Sequence, residues 1–258
     1  MRRVEYIPIK APAMAGVFNL YETIKKAVED QREDILDNDI LAISSKFIAL
    51  SEGRIVKLNS VKVSQEAIRL SSVAHIPSSL AELILREADK IYAALPGFVL
   101  TIKYGVVVPN AGIDRSNVKR GLAILYPRNP AASAERLRLQ ILTDLGKRVG
   151  VVVTDSRLMP TRIGTIGIAL AAAGFEAVSD ERGKPDLFGN IMRVTKRALA
   201  DDISAGASLV MGETSESIPV VIVRNSGLTI IDKPVDLEDL VIDDSRCIFI
   251  RGLSAVKQ

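Results

Sequence analysis

The chain has 258 residues, 48% hydrophobic and 25% charged, enough to bury a sizeable core in one large domain or two small ones. Its 34 basic and 31 acidic residues leave a net charge of +3, too weak a field to draw it to nucleic acid or membrane, and with no tryptophan and 4% aromatics it offers no base-stacking platform. The single cysteine, Cys247, excludes a disulfide within the chain, and the absence of a signal-peptide core or an 18-residue apolar span predicts a soluble, cytoplasmic protein.

Residues 4–9 read as a first strand, with Pro8 marking an edge or a strand end. Asn19 and Glu22 have the spacing of a capping box, and Leu20, Ile24 and Val28 share one helical face behind them. Residues 39–50 (DILAISSKFIAL) read as a buried strand interrupted by Ser44, Ser45 and Lys46. A lysine between two apolar runs loses hydration unless it meets an anion, so Lys46 is a candidate ligand contact; its alternative is a cation that snorkels to the surface. Glu52-Gly53-Arg54 then turns the chain into Ile55-Val56.

Residues 64–73 and 79–92 read as helices, the second with Leu80, Leu83, Ile84 and Ile91 on its apolar side. His75, the only histidine, lies between them in a loop or cap role, since one histidine cannot build a multi-histidine zinc site. A strand over 104–109 leads into Asn110-Ala-Gly-Ile-Asp-Arg-Ser-Asn117, a loop dense in side chains that ligate hard cations or bond phosphate oxygens. Residues 133–146 read as a helix with Leu137, Ile141 and Leu145 in register and Gly146 at its end.

That helix feeds into residues 151–174, VVVTDSRLMPTRIGTIGIALAAAG. Three valines make a short buried strand, and Asp155 arrives where the strand should end, followed by Arg157 and Arg162 around Pro160. Gly164 and Gly167 precede a run of small residues suited to a tightly packed helix. An acid at the carboxyl end of a strand is well placed to hold a metal, and neighbouring arginines suit phosphate or carboxylate. The two glycines would let a ligand approach backbone N–H groups at a helix start. The plainer alternative is a strand-loop-helix joint with a solvated ion pair. Asp114, also just beyond a buried strand, repeats the logic of Asp155 and is assigned to the same site.

Residues 180–189 form a loop, and 191–211 read as a long helix carrying Asp201 and Asp202, which point about 100° apart and so make no acid/base pair. A third polar loop, 212–217, with Glu213 near its start, precedes a strand over 219–223. A last strand over 247–250 buries Cys247 as a structural thiol. No repeat, low-complexity stretch, P-loop, G-x-G-x-x-G, H-E-x-x-H or C-x-x-C occurs. The residues alone reach acid- and glycine-rich loops suited to a metal and a phosphate.

Ser45-Lys46 with Glu52-Gly53-Arg54, the Asn110-to-Asn117 motif, Asp155, Gly167, Gly174, Gly212-Glu213 and the Pro219-to-Arg224 segment together resemble the coenzyme F-420:L-glutamate ligases, gamma-glutamyl ligases of deazaflavin coenzyme biosynthesis, in order and spacing from about residue 36 to 224. The resemblance implies an α+β fold of mixed sheets and packed helices in an intertwined homodimer. Residues 1–258 would form one unit, or two interleaved subdomains without a clean linker. It implies a ligase that uses GTP, two divalent ions (Mg or Mn) and potassium to add L-glutamate through an amide bond to a phospho-deazaflavin acceptor. It places metal ligands at Asp114, Asp155, Ser156 and Glu213, and catalytic roles at Asp114, Asp155 and Arg162. Nucleotide contacts are implied at Ser45, Lys46, Asn117, Met211, Gly212, Thr214, Ser215 and Glu216. The chain departs from the family pattern in reading Asp155-Ser-Arg-Leu-Met-Pro160 for D-T-x-G-R-P, in Leu50 where a lysine is frequent, and in Ser217 for glycine. These changes spare the metal ligands and alter the pocket walls. The alternatives are therefore a relative acting on another phosphorylated acceptor and a non-catalytic dimer that binds a nucleotide or deazaflavin.

Overall fold

A computed structural model describes residues 3–14 and 16–255. In chain order the strands and helices are β1 (Glu5–Ile9), α1 (Leu20–Asp30), β2 (Ile40–Ser44), α2 (Ser45–Ser51), β3 (Ile55–Lys57), α3 (Gln65–Ala74), α4 (Ser78–Glu87), β4 (Lys90–Leu95), β5 (Phe98–Lys103), β6 (Val106–Pro109) and β7 (Leu122–Ile124). They continue with α5 (Pro130–Leu145), β8 (Gly150–Leu158), β9 (Thr165–Phe175), β10 (Ser179–Asp180), β11 (Lys196–Arg197), α6 (Leu199–Met211), β12 (Val220–Arg224), β13 (Ile230–Pro234) and α7 (Ile248–Ala255). The fold is α+β. No described helix is long and apolar enough to cross a membrane.

The main sheet runs β1-β12-β2-β8-β9-β13, with β2 and β8 parallel and the other pairs antiparallel. Successive strand residues point to opposite faces, and here both faces are covered. Leu41, Ile43, Val151, Val153 and Ile222 meet Ile24 and Val28 of α1 and Leu137 and Ile141 of α5. Ile40, Ala42, Val152, Val221 and Val223 meet Ala200, Ile203 and Ala207 of α6 on the other side. A third core gathers Ala67 of α3, Leu80 and Ile84 of α4, Val99 of β5, Ile113 from the loop after β6 and Ala123 of β7.

Local signals place several element ends. Asn19 Oδ1 accepts from the Glu22 N–H at 3.2 Å, and Ser64 caps α3 through the Ala67 N–H. His75 closes α3 in the left-handed region, as its cap role anticipates, and Gly146 closes α5 in the same way. Pro8 lies in β1, an edge strand of the main sheet.

Tertiary context overrules other expectations. The alanine-rich run after Gly167 is strand β9 rather than a helix, because its small side chains let α5 and α6 pack close against the two faces of the sheet. Asp155 therefore lies inside the β8–β9 hairpin rather than at a strand end. Gly164 and Gly167 open no helix. A Cβ on Gly167 would lie 2.2 Å from the Ser204 carbonyl oxygen, so this glycine admits α6 rather than a ligand. The buried segment expected as one strand over 39–50 changes at Ser44 into α2. The helix expected over 79–92 ends at Glu87, and β4 follows; the strand over 104–109 starts only at Val106. The helix over 191–211 begins at Leu199, since the preceding residues are exposed and leave no apolar face to dock. Helix α5 starts at Pro130, capped by Asn129, three residues before the expected start. Cys247 is only partly buried in a turn leading into α7, so the strand over 247–250 and its buried thiol are not found.

Candidate active site

The parallel β2–β8 pair ends beside a cleft of about 440 Å³, the position where α/β sheets commonly take ligands. Five segments line it: residues 11–14, the start of α2, the loop around Asp114, residues 154–156 of β8, and the end of α6 with the loop to Pro219. Of the residues singled out by sequence, Lys46, Asp114, Asn117, Asp155, Ser156 and Met211 through Glu216 all line this cleft. Ser45 is buried beneath it, beside Asp155. Arg162 does not reach it, because it sits exposed in the turn joining β8 to β9.

The Asn110-to-Asn117 motif is built for shape. Asn110, Ala111 and Gly112 are consecutive left-handed residues, at φ 54°, 54° and 70°. Asn110 Oδ1 accepts from the Val99 N–H at 2.9 Å, and the Ala111 N–H donates to Thr101 Oγ1 at 2.9 Å. The Tyr126 ring lies against Gly112 so closely that a Cβ there would fall 2.1 Å from it. Asp114 then bridges Ile124 through its backbone, which points the loop toward α2.

At the cleft, Asp114 accepts from the Ser116 N–H at 2.7 Å and the Ser116 hydroxyl at 2.8 Å, and pairs with Lys46. Lys46 Nζ also donates to Ser116 Oγ at 3.0 Å. Lys46 thus meets an anion instead of snorkelling. Burial pushes the Asp114 carboxyl up, but the bonds from Lys46 and Ser116 outweigh it and hold the group below its ordinary range. Asp155 goes the other way, pushed up to about 6 chiefly by burial and also by the charge of Asp114, against bonds from Tyr126, the Ser156 N–H and Ser45.

Glu213 faces β8 and β9 from across the cleft, accepting from Thr165 Oγ1 at 3.0 Å and Ser156 Oγ at 3.5 Å. Asn117 Nδ2 donates to the Thr214 carbonyl at 2.8 Å, joining the Asp114 loop to the loop after α6. Glu216 shapes that second loop by accepting from the Thr214 N–H at 2.8 Å, beneath left-handed Gly212. Among the described residues, no three His, Cys, Asp or Glu side chains are already gathered closely enough to hold an ion. Asp201 and Asp202 diverge as expected: Asp201 accepts from the Ala169 N–H, and Asp202 lies 3.8 Å from Arg197.

Sequence reasoning missed three contributors. Residues 11–14 form one wall, and Thr154, 2% exposed, brings a hydroxyl without a hydrogen-bond partner among the described residues. Tyr126 lies against Asp155 from beneath. A polar residue opening an apolar strand end was the one available signal for Thr154; Tyr126 had none.

Residues 8–225, which hold every cleft-lining side chain, match the family model described as F420-0:Gamma-glutamyl ligase. The chain belongs to this family. It is 38% identical over 230 residues to the coenzyme F420:L-glutamate ligase of Methanocaldococcus jannaschii, covering 88% of this chain and 90% of that one. It is 37% identical to the protein of that name from Archaeoglobus fulgidus, over 86% and 88% of the two chains. The Methanothermobacter thermautotrophicus protein of that name is also 37% identical, over 78% and 80%. As a member of the gamma-glutamyl ligase family, the protein is an enzyme that forms amide bonds. The segment from residue 226 onward, which includes β13 and α7, lies outside the matched span.

Proposed function

We propose that the protein is a GTP- and divalent-metal-dependent ligase that adds L-glutamate through an amide bond to a phospho-deazaflavin acceptor of coenzyme F-420 synthesis. The observation that carries the nucleotide and metal reading is the charge of the cleft. Asp114, Asp155, Glu213 and Glu216 line it against one cationic side chain, Lys46, and that lysine is already paired. A polyphosphate would be repelled from such a wall unless cations came with it.

The residues fit hard divalent ions. The donors are all oxygens: the Asp114, Asp155 and Glu213 carboxylates and the Ser156 hydroxyl, with the unpartnered Thr154 hydroxyl nearby. Burial, with the charge of Asp114 beside it, pushes Asp155 up to about 6. Divalent ions held there would neutralise charge on the nucleotide phosphates and on a developing acyl phosphate. Lys46, Asn117 and the 211–216 loop would contact the nucleotide. In the reaction proposed, the acceptor carboxylate takes the γ-phosphoryl group and GDP departs. The glutamate amine then attacks the acyl carbon, a C–N bond forms, and phosphate leaves as the amine releases a proton. No side-chain nucleophile is needed. The assisting role of potassium rests on the family resemblance alone.

Incubation with GTP, MnCl2 and L-glutamate tests the reading. GDP release is expected only when the phospho-deazaflavin acceptor is present and to stop when EDTA is added; acceptor-independent or EDTA-resistant release counts against it. Leu50 favours a second reading, a ligase for another phosphorylated acceptor, because it puts an apolar side chain in the cleft wall. GTP turnover with a different phosphorylated acid, and none with the deazaflavin, would select it.

The homodimer is proposed as well. Large apolar side chains stand uncovered on the β8–β9 tip (Leu158, Ile163) and on the excursion between β10 and β11, where Leu187 is 100% and Phe188 91% exposed. Apolar surface of this kind marks an interaction site. A one-chain mass in solution at micromolar concentration would remove the dimer.

A further inference from the structure

We infer that Arg115, Lys119 and Arg120 form a cationic rim beside the cleft that holds the phosphoryl group of the acceptor. The inference rests on the ligase reading above, in which a nucleotide and its divalent ions occupy the cleft. All three side chains are exposed on the loop that joins Asp114 to β7. None of them has an ion-pair partner among the described residues. From Arg115 to Ala134 the chain has four basic residues and no acidic one, so the loop carries nothing to offset its own charge. Its backbone is nevertheless held at both ends. The Ser116 N–H donates to Asp114 at 2.7 Å and Asn117 Nδ2 to the Thr214 carbonyl at 2.8 Å. Farther on, the Lys119 carbonyl accepts from the Leu122 N–H at 3.1 Å, and the Gly121 carbonyl from the Leu58 N–H at 2.9 Å. No atom lies within 4 Å of a Cβ position on Gly121, so the tip between these anchors faces open space.

Asp114, Ser116 and Asn117 line the cleft, whereas Arg115, Lys119 and Arg120 do not. The cations therefore stand just outside a wall built largely of carboxylates. A cleft of about 440 Å³ is of a size that encloses one ligand, and the nucleotide would take that space. Most of the acceptor must then lie at the mouth. Within the cleft the one cationic side chain, Lys46, is already paired with Asp114. The divalent ions would be engaged by the nucleotide phosphates and the reacting carboxylate. A phosphoryl group on the acceptor needs its counter-charge from elsewhere. Arg157 is turned to the Met159 sulfur, and Arg162 does not reach the cleft. The loop after Asp114 meets the need, because guanidinium forks suit pairs of phosphate oxygens and the lysine adds a point charge. An acceptor held there would lie beside the loop that carries Asp114, which brings its carboxylate toward the cleft.

Combining Arg115→Ser, Lys119→Ser and Arg120→Ser tests this, since exposed loop side chains can be changed with little effect on the thermal midpoint. The KM for the phospho-deazaflavin acceptor is expected to rise about tenfold or more. The kcat and the KM values for GTP and glutamate should stay within about twofold of wild type, because only acceptor binding is weakened. Calorimetric titration of the acceptor into protein holding Mn2+ and GDP, where no turnover occurs, should show the same loss of affinity. That loss should shrink as NaCl is raised, since exposed charges are screened. Arg115→Lys with Lys119→Arg and Arg120→Lys keeps the charges and should keep the acceptor affinity. Arg148→Ala, which removes an exposed cation just before β8, should change none of these values. Unchanged acceptor affinity in the serine variant, or a rise in the KM for GTP or glutamate instead, overturns the assignment. If wild type turns over GTP only with another phosphorylated acid, the same variants are measured with that acid and judged by the same outcomes. Wild-type protein that turns over GTP with no phosphorylated acceptor overturns the rim together with the ligase reading, so the two failures are told apart.

Discussion

Asp155→Asn is expected to lower ligase activity at least about a hundredfold while leaving the fold largely intact, the scale seen when one charge partner of a transition state is removed. The amide keeps the size of the side chain and one oxygen, so packing against Ser45 and Tyr126 survives. The charge is lost, and Mn2+-dependent nucleotide binding should weaken in parallel. The competing role, a solvated ion pair with Arg157 or Arg162, finds no support in the geometry: Arg157 reaches the Met159 sulfur, and Arg162 is exposed in the hairpin turn. Loss of such a pair would cost only about 0–1 kcal/mol and spare turnover. The same variant carries a pH signature. Burial lifts the folded-state Asp155 carboxyl to about 6, whereas an unfolded aspartate titrates near 3.9. The folded state then binds the proton more tightly, so this contribution to stability is full below about pH 4 and is lost as pH rises through about 6. In metal-free protein, the thermal midpoint should therefore drop more between pH 4 and 7 for wild type than for Asp155→Asn. Equal pH profiles would show that burial does not raise the Asp155 carboxyl, and full turnover in a folded variant would move the active site elsewhere.

Gly167→Val should be strongly destabilising. The ideal Cβ position lies 2.2 Å from the Ser204 carbonyl oxygen, 2.7 Å from its carbon and 2.8 Å from Ser208 Cβ. Two of these three atoms belong to the backbone of α6, so no rotamer change relieves the clash. Helix α6 must back away from β9, which also breaks the bond from the Gly167 N–H to Ser208 Oγ, now 3.2 Å. A loss of about 3 kcal/mol, the upper end for overpacking, is expected. In a chain of this size that lowers the thermal midpoint by roughly 6–12 °C. Because α6 leads directly into Gly212 and Glu213, activity should fall as well. Gly252→Ala is the control: no atom lies within 4 Å of its Cβ position, and alanine favours the helix it occupies. A Gly167→Val protein as stable as Gly252→Ala would show that β9 and α6 do not pack as described.

Several features were decided within a few residues of chain, and these the sequence by itself determined. The Asn19 cap, the left-handed His75 and Gly146 closures, and the edge character of Pro8 each depend on bonds or sterics spanning about four residues. The polar loops carrying Asp114, Asp155 and Glu213 were legible for a related reason, because charged and hydroxyl side chains next to buried strands need a partner. Chemistry placed Asp114 and Asp155 in one site and the family resemblance implied Glu213 beside them; all three line the same cleft. Tertiary structure decided the rest. The run from Ile168 to Phe175 is covered on both faces, so it shows neither a period of two nor one of 3.6, and only packing between α5 and α6 makes it a strand. The positions of Arg162 and Tyr126 relative to Asp155 were beyond sequence for the same physical reason. A hairpin that overruns its sheet carries the arginine away from the acid seven residues before it, while the fold brings a tyrosine 29 positions from Asp155 to its side. Sequence distance sets neither separation, because each depends on how far paired strands extend and on which layer they pack against.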